Sequence, residues 1–165
     1  MFVLAHLSDP HLGPLPAARL RELLGKRATG LLNWRRKRHL VHRADALARV
    51  VADLKAQGSD HVAVTGDLVN ISLAAEYPPA RAWLASLGSP RNVTLVPGNH
   101  DVYVRAALQY PRLHWGDYMR ADDDDPAAGA AAFPFVRRRG PLALIGLSSA
   151  VPTSPFLATG QLGAA

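Results

Sequence analysis

The alternation of apolar runs along the chain constrains the fold more than any other feature. Three short apolar runs, at residues 2–7, 61–65 and 92–96, have the length of buried strands. Two stretches with apolar residues at helical spacing, within residues 40–57 and 80–87, separate them. Strand, helix, strand, helix, strand predicts βαβ units and a largely parallel sheet with right-handed crossovers, so the predicted fold class is α/β.

Glycine and proline residues predict where several elements begin and end. Gly58 follows the first helical stretch as a C-terminal glycine would, and Pro78 and Pro79 suit the first turn of the second. A broken helix, interrupted by Pro111, is predicted over residues 102–119.

The later part of the sequence shows weaker patterns. Residues 133–138 and 142–148 predict a hairpin with its turn at residues 140–141. Residues 122–132 form an acidic, alanine-rich stretch that predicts a solvated loop.

Composition restricts the kind of site and of partner. The chain has 165 residues, of which 48% are hydrophobic, and it contains no cysteine. We therefore expect one domain over residues 1–165, without disulfides or thiolate zinc sites. No segment has the pattern of a signal peptide or a membrane span, so we expect a cytoplasmic protein with no transmembrane segment. The net charge of +6 favours polyanionic partners.

Polar clusters end each of the three predicted strands. In open α/β sheets, ligands bind beyond the carboxyl ends of the strands, so these clusters should converge on one edge. Their carboxylate, imidazole and amide groups suit a divalent metal such as Mn, Fe or Zn. Each motif alone is weak, since a Gly-Asp pair after a strand is usually only a turn, and the prediction depends on the three occurring together. The clustered residues are Asp9, His11, Asp67, Asn99, His100 and Asp101.

These motifs support a resemblance to a known family. Asp9-Pro10-His11, then the run from Gly66-Asp67 to Asn70, then Gly98-Asn99-His100-Asp101 resemble the calcineurin-like metallophosphoesterases over about the first hundred residues. Similarity is closest to bacterial members of the class that includes cyclic-nucleotide phosphodiesterases. The resemblance implies an α/β/β/α sandwich. It also implies hydrolysis of a phosphorylated substrate by a hydroxide that bridges two divalent metal ions. The substrate type that we expect is a phosphodiester.

The resemblance also implies a role for each clustered residue. Asp9 and His11 would bind the first metal ion, Asp67 would bridge both ions, and Asn99 would bind the second. His100 would protonate the departing oxygen or stabilise the transition state. Asp101 would orient the His100 ring and tune its charge.

Two histidine motifs that are common in the family do not occur here. Members usually carry a His-His-Pro stretch and a Gly-His-x-His motif downstream, whereas the last histidine of this sequence is His114. We therefore expect the N-terminal portion of a metallophosphoesterase domain, incomplete at its C-terminus, with weak or no activity in isolation. The alternative hypotheses are an inactive fragment that binds metal or polyanions, and a nucleic-acid-binding module.

The remaining charged and histidine residues receive simpler interpretations. The basic run Arg35, Arg36, Lys37 and Arg38, preceded by Trp34, is either a solvated helix start or a basic lip over the site that contacts a second phosphate, nucleic acid or anionic lipid. His6 is interpreted as a core residue, and residues 137–139 as a charged rim of the hairpin. The other histidines are interpreted as surface or packing residues: His39, His42, His61 and His114.

Overall fold

The computed structural model describes residues 1–38, 41–124, 133–155 and 157–163, with only the backbone described at 37 and 38. Its strands are β1 (Leu4–Leu7), β2 (His61–Thr65), β3 (Val93–Val96), β4 (Phe135–Arg139) and β5 (Leu142–Gly146). Its α-helices are α1 (Lys26–Asn33), α2 (Ala44–Ala56), α3 (Tyr77–Leu87) and α4 (Tyr110–Trp115). A π-helix, Trp34–Arg38, continues α1. Short 3₁₀ turns include Ala74–Glu76 and His100–Val102.

The described strands form a parallel sheet and a separate hairpin. The sheet has the order β1-β2-β3, with Leu4 opposite His61 and Val62 opposite Val93. The hairpin pairs β4 with β5 in antiparallel fashion. The predicted α/β class with a parallel sheet is therefore confirmed, and the predicted hairpin is present.

The helix ends follow the local sequence, with one exception. Gly58 adopts a φ of 62° just after α2, and Pro78 lies in the first turn of α3, both as predicted. The prediction that Pro111 interrupts a helix is wrong, because α4 begins at Tyr110 and Pro111 lies in its first turn. In the first turn of a helix the backbone N–H groups have no intrahelical partner, so the N–H that proline lacks is not needed there.

Two sets of side chains form the hydrophobic core. The larger set packs α3 and α4 against β2 and β3, and its fully buried members include Tyr77, Leu84, Val64, Leu95 and Trp115. The smaller set packs Ile71, Leu73 and Tyr103 against part-buried residues of the segment that precedes and includes α1. The second set therefore fixes α1 beside the loops that follow β2 and β3.

Two side chains occupy environments opposite to those predicted. His6 is exposed and bonds Thr65 Oγ1 at 2.9 Å, because it lies on β1, the outer strand of the described sheet. Arg137, predicted on a charged rim, is only 3% exposed. Its guanidinium donates to the carbonyls of Pro90, Val93 and Arg120, among others, so it joins the hairpin to the end of the sheet. Burial lowers the pKa of Arg137 to about 10.

His61 should make stability depend on pH. The ring is 1% exposed, with Nε2 at 2.7 Å from Thr94 Oγ1. Burial, and then Arg139 and Arg137, lower its pKa from 6.5 to about 4. The unfolded chain therefore takes up a proton between pH 6.5 and 4 that the folded chain does not. The contribution of His61 is complete above pH 6.5 and is lost as pH falls toward 4, by about 2–3 kcal/mol.

Urea denaturation at pH 7, 6, 5 and 4 checks this expectation. The other titrating groups act in both proteins, so the relevant quantity is the difference between wild type and His61→Gln. We expect the stability curve of His61→Gln to fall less steeply below pH 6.5. Parallel curves would assign the pH dependence to other groups.

Some predictions concern residues outside this description. Most of the predicted acidic loop, residues 125–132, lies outside the described residues, as does His39. Within the part of the chain that is described, no helix has both the length and the apolar character needed to cross a bilayer.

Candidate metal centre

The loops after the three parallel strands meet at the carboxyl edge of the sheet. Backbone hydrogen bonds continue the pairing of β1 with β2 beyond the strands themselves. The N–H of Asp9 donates to the Gly66 carbonyl at 3.2 Å, and the N–H of His11 donates to the Asp67 carbonyl at 3.0 Å. The first two polar clusters therefore lie side by side, as the motif order predicts.

Three of the predicted residues bring their ligand atoms together. One ligand atom each from His11, Asp67 and His100 lies within 4.8 Å of the other two. The His11 Nε2 is 3.9 Å from Asp67 Oδ2, while Asp67 Oδ1 accepts the backbone N–H of His100 at 2.8 Å. Imidazole nitrogen and carboxylate oxygen are suitable donors for Mn, Fe or Zn, so this set fits a divalent ion.

Backbone carbonyls orient both imidazoles. The His11 Nδ1 is 3.3 Å from the Val69 carbonyl oxygen, and the His100 Nδ1 contacts the Asn70 carbonyl oxygen. A carbonyl only accepts, so each Nδ1 carries the proton and each neutral ring has its lone pair on Nε2. This arrangement is the usual second-sphere support of a metal-ligating histidine. The Asn70 Oδ1 is buried and has no hydrogen-bond partner in the described part of the chain.

Backbone strain is concentrated at the same place. Among the described residues, four that are not glycine have a positive φ: Asp9 at 53°, His11 at 40°, Asp67 at 54° and Ser72 at 57°. Three of them are predicted metal ligands. Such conformations cost about 1–3 kcal/mol each and persist where the surroundings enforce them, typically at functional sites.

Two glycines allow the second and third loops to touch. A Cβ on Gly66 would lie 2.2 Å from the Gly98 nitrogen, and a Cβ on Gly98 would lie 2.1 Å from Asp67 Oδ1. Only glycine permits this approach, which brings the backbone N–H of His100 onto the Asp67 carboxylate.

A buried carboxylate holds each half of the loop after β2. Asp101 is fully buried and accepts the backbone N–H groups of residues 67, 68, 69 and 98 at 2.8–3.1 Å. Glu76 accepts those of residues 70, 71 and 73. Burial raises the pKa of Asp101 to about 7 despite its N–H donors, and burial also raises the pKa of Glu76.

The hydrogen bonds of Asp101 differ from the predicted role. All those of its carboxylate go to backbone N–H groups, and the His100 Nδ1 contacts the Asn70 carbonyl instead. Asp101 thus positions the loops that carry Asp67 and His100. Its predicted direct action on the His100 ring has no hydrogen bond to support it in the described structure.

Asp9 and Asn99 lie at the margins of the three-residue cluster. Asp9 is exposed, and its carboxylate contacts the Ser8 hydroxyl. Asn99 is half-buried and lines the cavity beside His100. Their assignment as ligands of the first and second ion remains a prediction.

The sequence analysis assigned no role in the centre to several residues that surround it. The His42 ring packs 4.5 Å from that of His11, and the Tyr103 ring stacks 5.1 Å from that of His100. Glu76 and Asn70 hold the loop and the His100 ring. Asn70 ends the second motif, but only the fold shows that its backbone carbonyl contacts His100, 30 residues further along the chain.

A large cavity adjoins His100 and reaches the basic run. Its volume is about 620 Å³, and its lining includes Trp34 and Arg36 as well as Asn99 and His100. Arg35 and Arg36 are exposed, and the side chains of Lys37 and Arg38 lie outside the description. The basic run therefore begins beside the site, while contact with nucleic acid or anionic lipid through it stays a prediction.

The fold and this centre define an α/β protein with a cluster of potential metal ligands at the carboxyl edge of a parallel sheet. The family model for calcineurin-like phosphoesterases matches residues 2–149. The chain therefore belongs to the calcineurin-like phosphoesterase family. No curated protein matches it. The family supports metal-dependent hydrolysis of phosphoesters.

Proposed function

We propose that this chain hydrolyses phosphodiesters with the help of two divalent metal ions, which could be Mn, Fe or Zn. The observation that carries the proposal is the convergence of His11, Asp67 and His100 at the carboxyl edge of the sheet. Family membership supports phosphoester chemistry, and the donor set suits these ions. The diester specificity and the second ion rest on the resemblance of the motifs.

The proposed assignment gives each of the following side chains a role in binding the metal ions. Asp9, His11 and Asp67 would hold the first ion, and Asp67 with Asn99 the second. When bound, such ions neutralise charge on phosphate oxygens and lower the pKa of a water molecule.

His100 has an orientation suited to proton transfer. Its Nδ1–H is bound to the Asn70 carbonyl, so Nε2 is the nitrogen that can hold and release a proton. In this assignment Nε2 of His100 is not bound to a metal ion, and in its protonated form it would donate to the oxygen that leaves phosphorus. Asp101 and Glu76 would preserve this geometry by fixing the loop after β2.

The test is Mn²⁺-dependent hydrolysis of bis-p-nitrophenyl phosphate by the 165-residue chain. We expect Asp67→Asn to lower turnover by about two orders of magnitude or more, because the substituted side chain loses its charge at the centre of the cluster. Asp53→Asn is the matched control, since Asp53 is an exposed acid on α2, and it should retain full turnover.

A second candidate function is metal binding without turnover, as predicted for an inactive fragment. It is favoured by one observation: the described residues place three ligands in the cluster and leave Asp9 outside it. Manganese binding followed by electron paramagnetic resonance separates the candidates. Binding that needs Asp67, without hydrolysis, would support the second candidate. Hydrolysis unaffected by Asp67→Asn would show that the assigned centre is wrong.

A further inference from the structure

The cavity beside His100 is lined by residues that have no role in the proposed function. One wall is α1 with the π-helix Trp34–Arg38, and the other is made by the loops after β2 and β3. Apolar side chains supply part of the lining, among them Leu32, Ile71 and Leu157. A cavity of about 620 Å³ is of the size that accommodates an organic molecule.

Lys26, at the start of α1, places a cation close to the candidate proton donor. Its Nζ lies 4.2 Å from the centroid of the Tyr103 ring and 2.8 Å from Thr153 Oγ1. The Tyr103 ring in turn stacks on His100, with 5.1 Å between centroids and 20° between planes. The Lys26 ammonium and the His100 imidazole therefore both lie against the same aromatic ring.

The charge of the cavity is positive and uncompensated. Lys26 and Arg36 both line it, and none of the described residues that line it carries a carboxylate. Neither cation has an ion pair with an acidic residue in the described part of the chain. Burial lowers the pKa of Lys26, which is the direction expected where no anion offsets its desolvation. A bound anion would supply the missing partner, and phosphate binds such groups through charge-assisted hydrogen bonds.

We infer that this cavity receives the part of the substrate beyond the scissile phosphate, and that this part carries a second phosphate group held by Lys26 and Arg36. The inference rests on the proposed function, because it takes the scissile phosphate to lie at the His11, Asp67 and His100 cluster. The apolar lining accommodates the organic portion. The proposed substrate class is a soluble phosphodiester that carries a second phosphate group, rather than a simple phosphate ester.

Equilibrium dialysis tests this class without requiring turnover. The probes are α,β-methylene-ADP, which presents two phosphates, and AMP, which presents one, at a fixed Mn²⁺ concentration. We expect the wild-type chain to bind the diphosphate analogue about tenfold more tightly than AMP. Lys26→Gln should remove that advantage by weakening analogue binding about tenfold, with AMP binding changed less than about twofold.

Matched variants separate the contact from general effects. Lys26→Arg keeps the charge and should retain most of the advantage, and Arg36→Gln should reduce it. Arg91→Gln removes an equal charge from an exposed position that does not line this cavity and should change neither affinity. Far-UV circular dichroism identifies any variant that fails to fold, in which case Arg36→Gln carries the test.

Any one of several results would overturn the inference. These include equal binding of AMP and the analogue by the wild type, equal weakening of both by Lys26→Gln, and the same effect from Arg91→Gln. Retention on vesicles containing phosphatidylinositol 4-phosphate without binding of the analogue would also exclude a soluble substrate. Lys26-dependent binding without hydrolysis of bis-p-nitrophenyl phosphate would support the cavity and count against the proposed function alone. Hydrolysis of bis-p-nitrophenyl phosphate, with analogue binding unchanged by Lys26→Gln, would support the proposed function and count against the inference.

Discussion

Gly66→Ala should lower the free energy of unfolding by about 3–5 kcal/mol. The new Cβ would lie 2.2 Å from the Gly98 nitrogen and 2.6 Å from its Cα, and backbone atoms cannot move aside as a flexible side chain can. Alanine would also have to adopt a φ of 73°. The loops after β2 and β3 would separate, and the contact of the His100 N–H with Asp67 would be lost. Urea denaturation followed by circular dichroism measures the change.

Gly58→Ala is the matched control for this substitution. Gly58 has a φ of 62°, but a Cβ there would meet nothing within 4 Å. Gly58→Ala should therefore lower the free energy of unfolding only by the backbone strain, about 1 kcal/mol. Similar losses in the two variants would mean that strain, rather than contact between the loops, makes Gly66 necessary.

Asp101→Asn should destabilise the chain by about 2–4 kcal/mol. Each carboxylate oxygen of Asp101 accepts two backbone N–H groups. An amide nitrogen in place of either oxygen would face two donors with no acceptor. Because Asp101 holds the loop that carries Asp67, we also expect Mn²⁺ affinity to fall about tenfold or more. Urea denaturation and electron paramagnetic resonance give the two values.

The exposed residue Asp60 provides the control for Asp101. Its Oδ2 accepts one backbone N–H, from Val3 at 2.7 Å, so Asp60→Asn removes the same charge from a surface contact. A loss below about 1 kcal/mol, with unchanged Mn²⁺ affinity, is expected. Normal Mn²⁺ affinity in a folded Asp101→Asn protein would show that the loop does not need this anchor.

Local patterns predicted most of the described elements. The strand β2 was predicted at its observed bounds and β3 within one residue, because buried parallel strands are short apolar runs. The strand β1 was predicted within two residues, but the prediction that it is buried is wrong, because it is the outer strand of the described sheet and its residues are exposed or part-buried. Pro111 was misjudged because a proline breaks or begins a helix according to where the helix starts, which depends on the packing of Trp115 and Tyr110 in the core. Arg137 was misjudged because its carbonyl partners come from other segments of the chain.

The candidate site was predicted only in part. The three motifs led directly to His11, Asp67 and His100, since parallel strands deliver their carboxyl ends to one edge. The family resemblance assigned Asp101 to the His100 ring. Its hydrogen bonds to four backbone N–H groups could not be predicted, because three of those groups lie more than 30 residues away. Lys26 lies 77 residues before Tyr103 and carries no motif, so nothing local connects it with the site.

The sequence by itself determined the order of the strands and of the helices α2 and α3, the family resemblance and the residue types available for a metal, whereas α1 was not predicted. These follow from short-range periodicity and from motifs at strand ends, which need no knowledge of distant contacts. Only the tertiary structure decided which side chains meet. It buried Asp101 under the loop after β2, turned the histidine rings onto carbonyls, and placed Lys26 beside the His100 and Tyr103 pair. The physical reason is that such contacts join residues far apart in sequence, and core packing rather than local pattern brings them together.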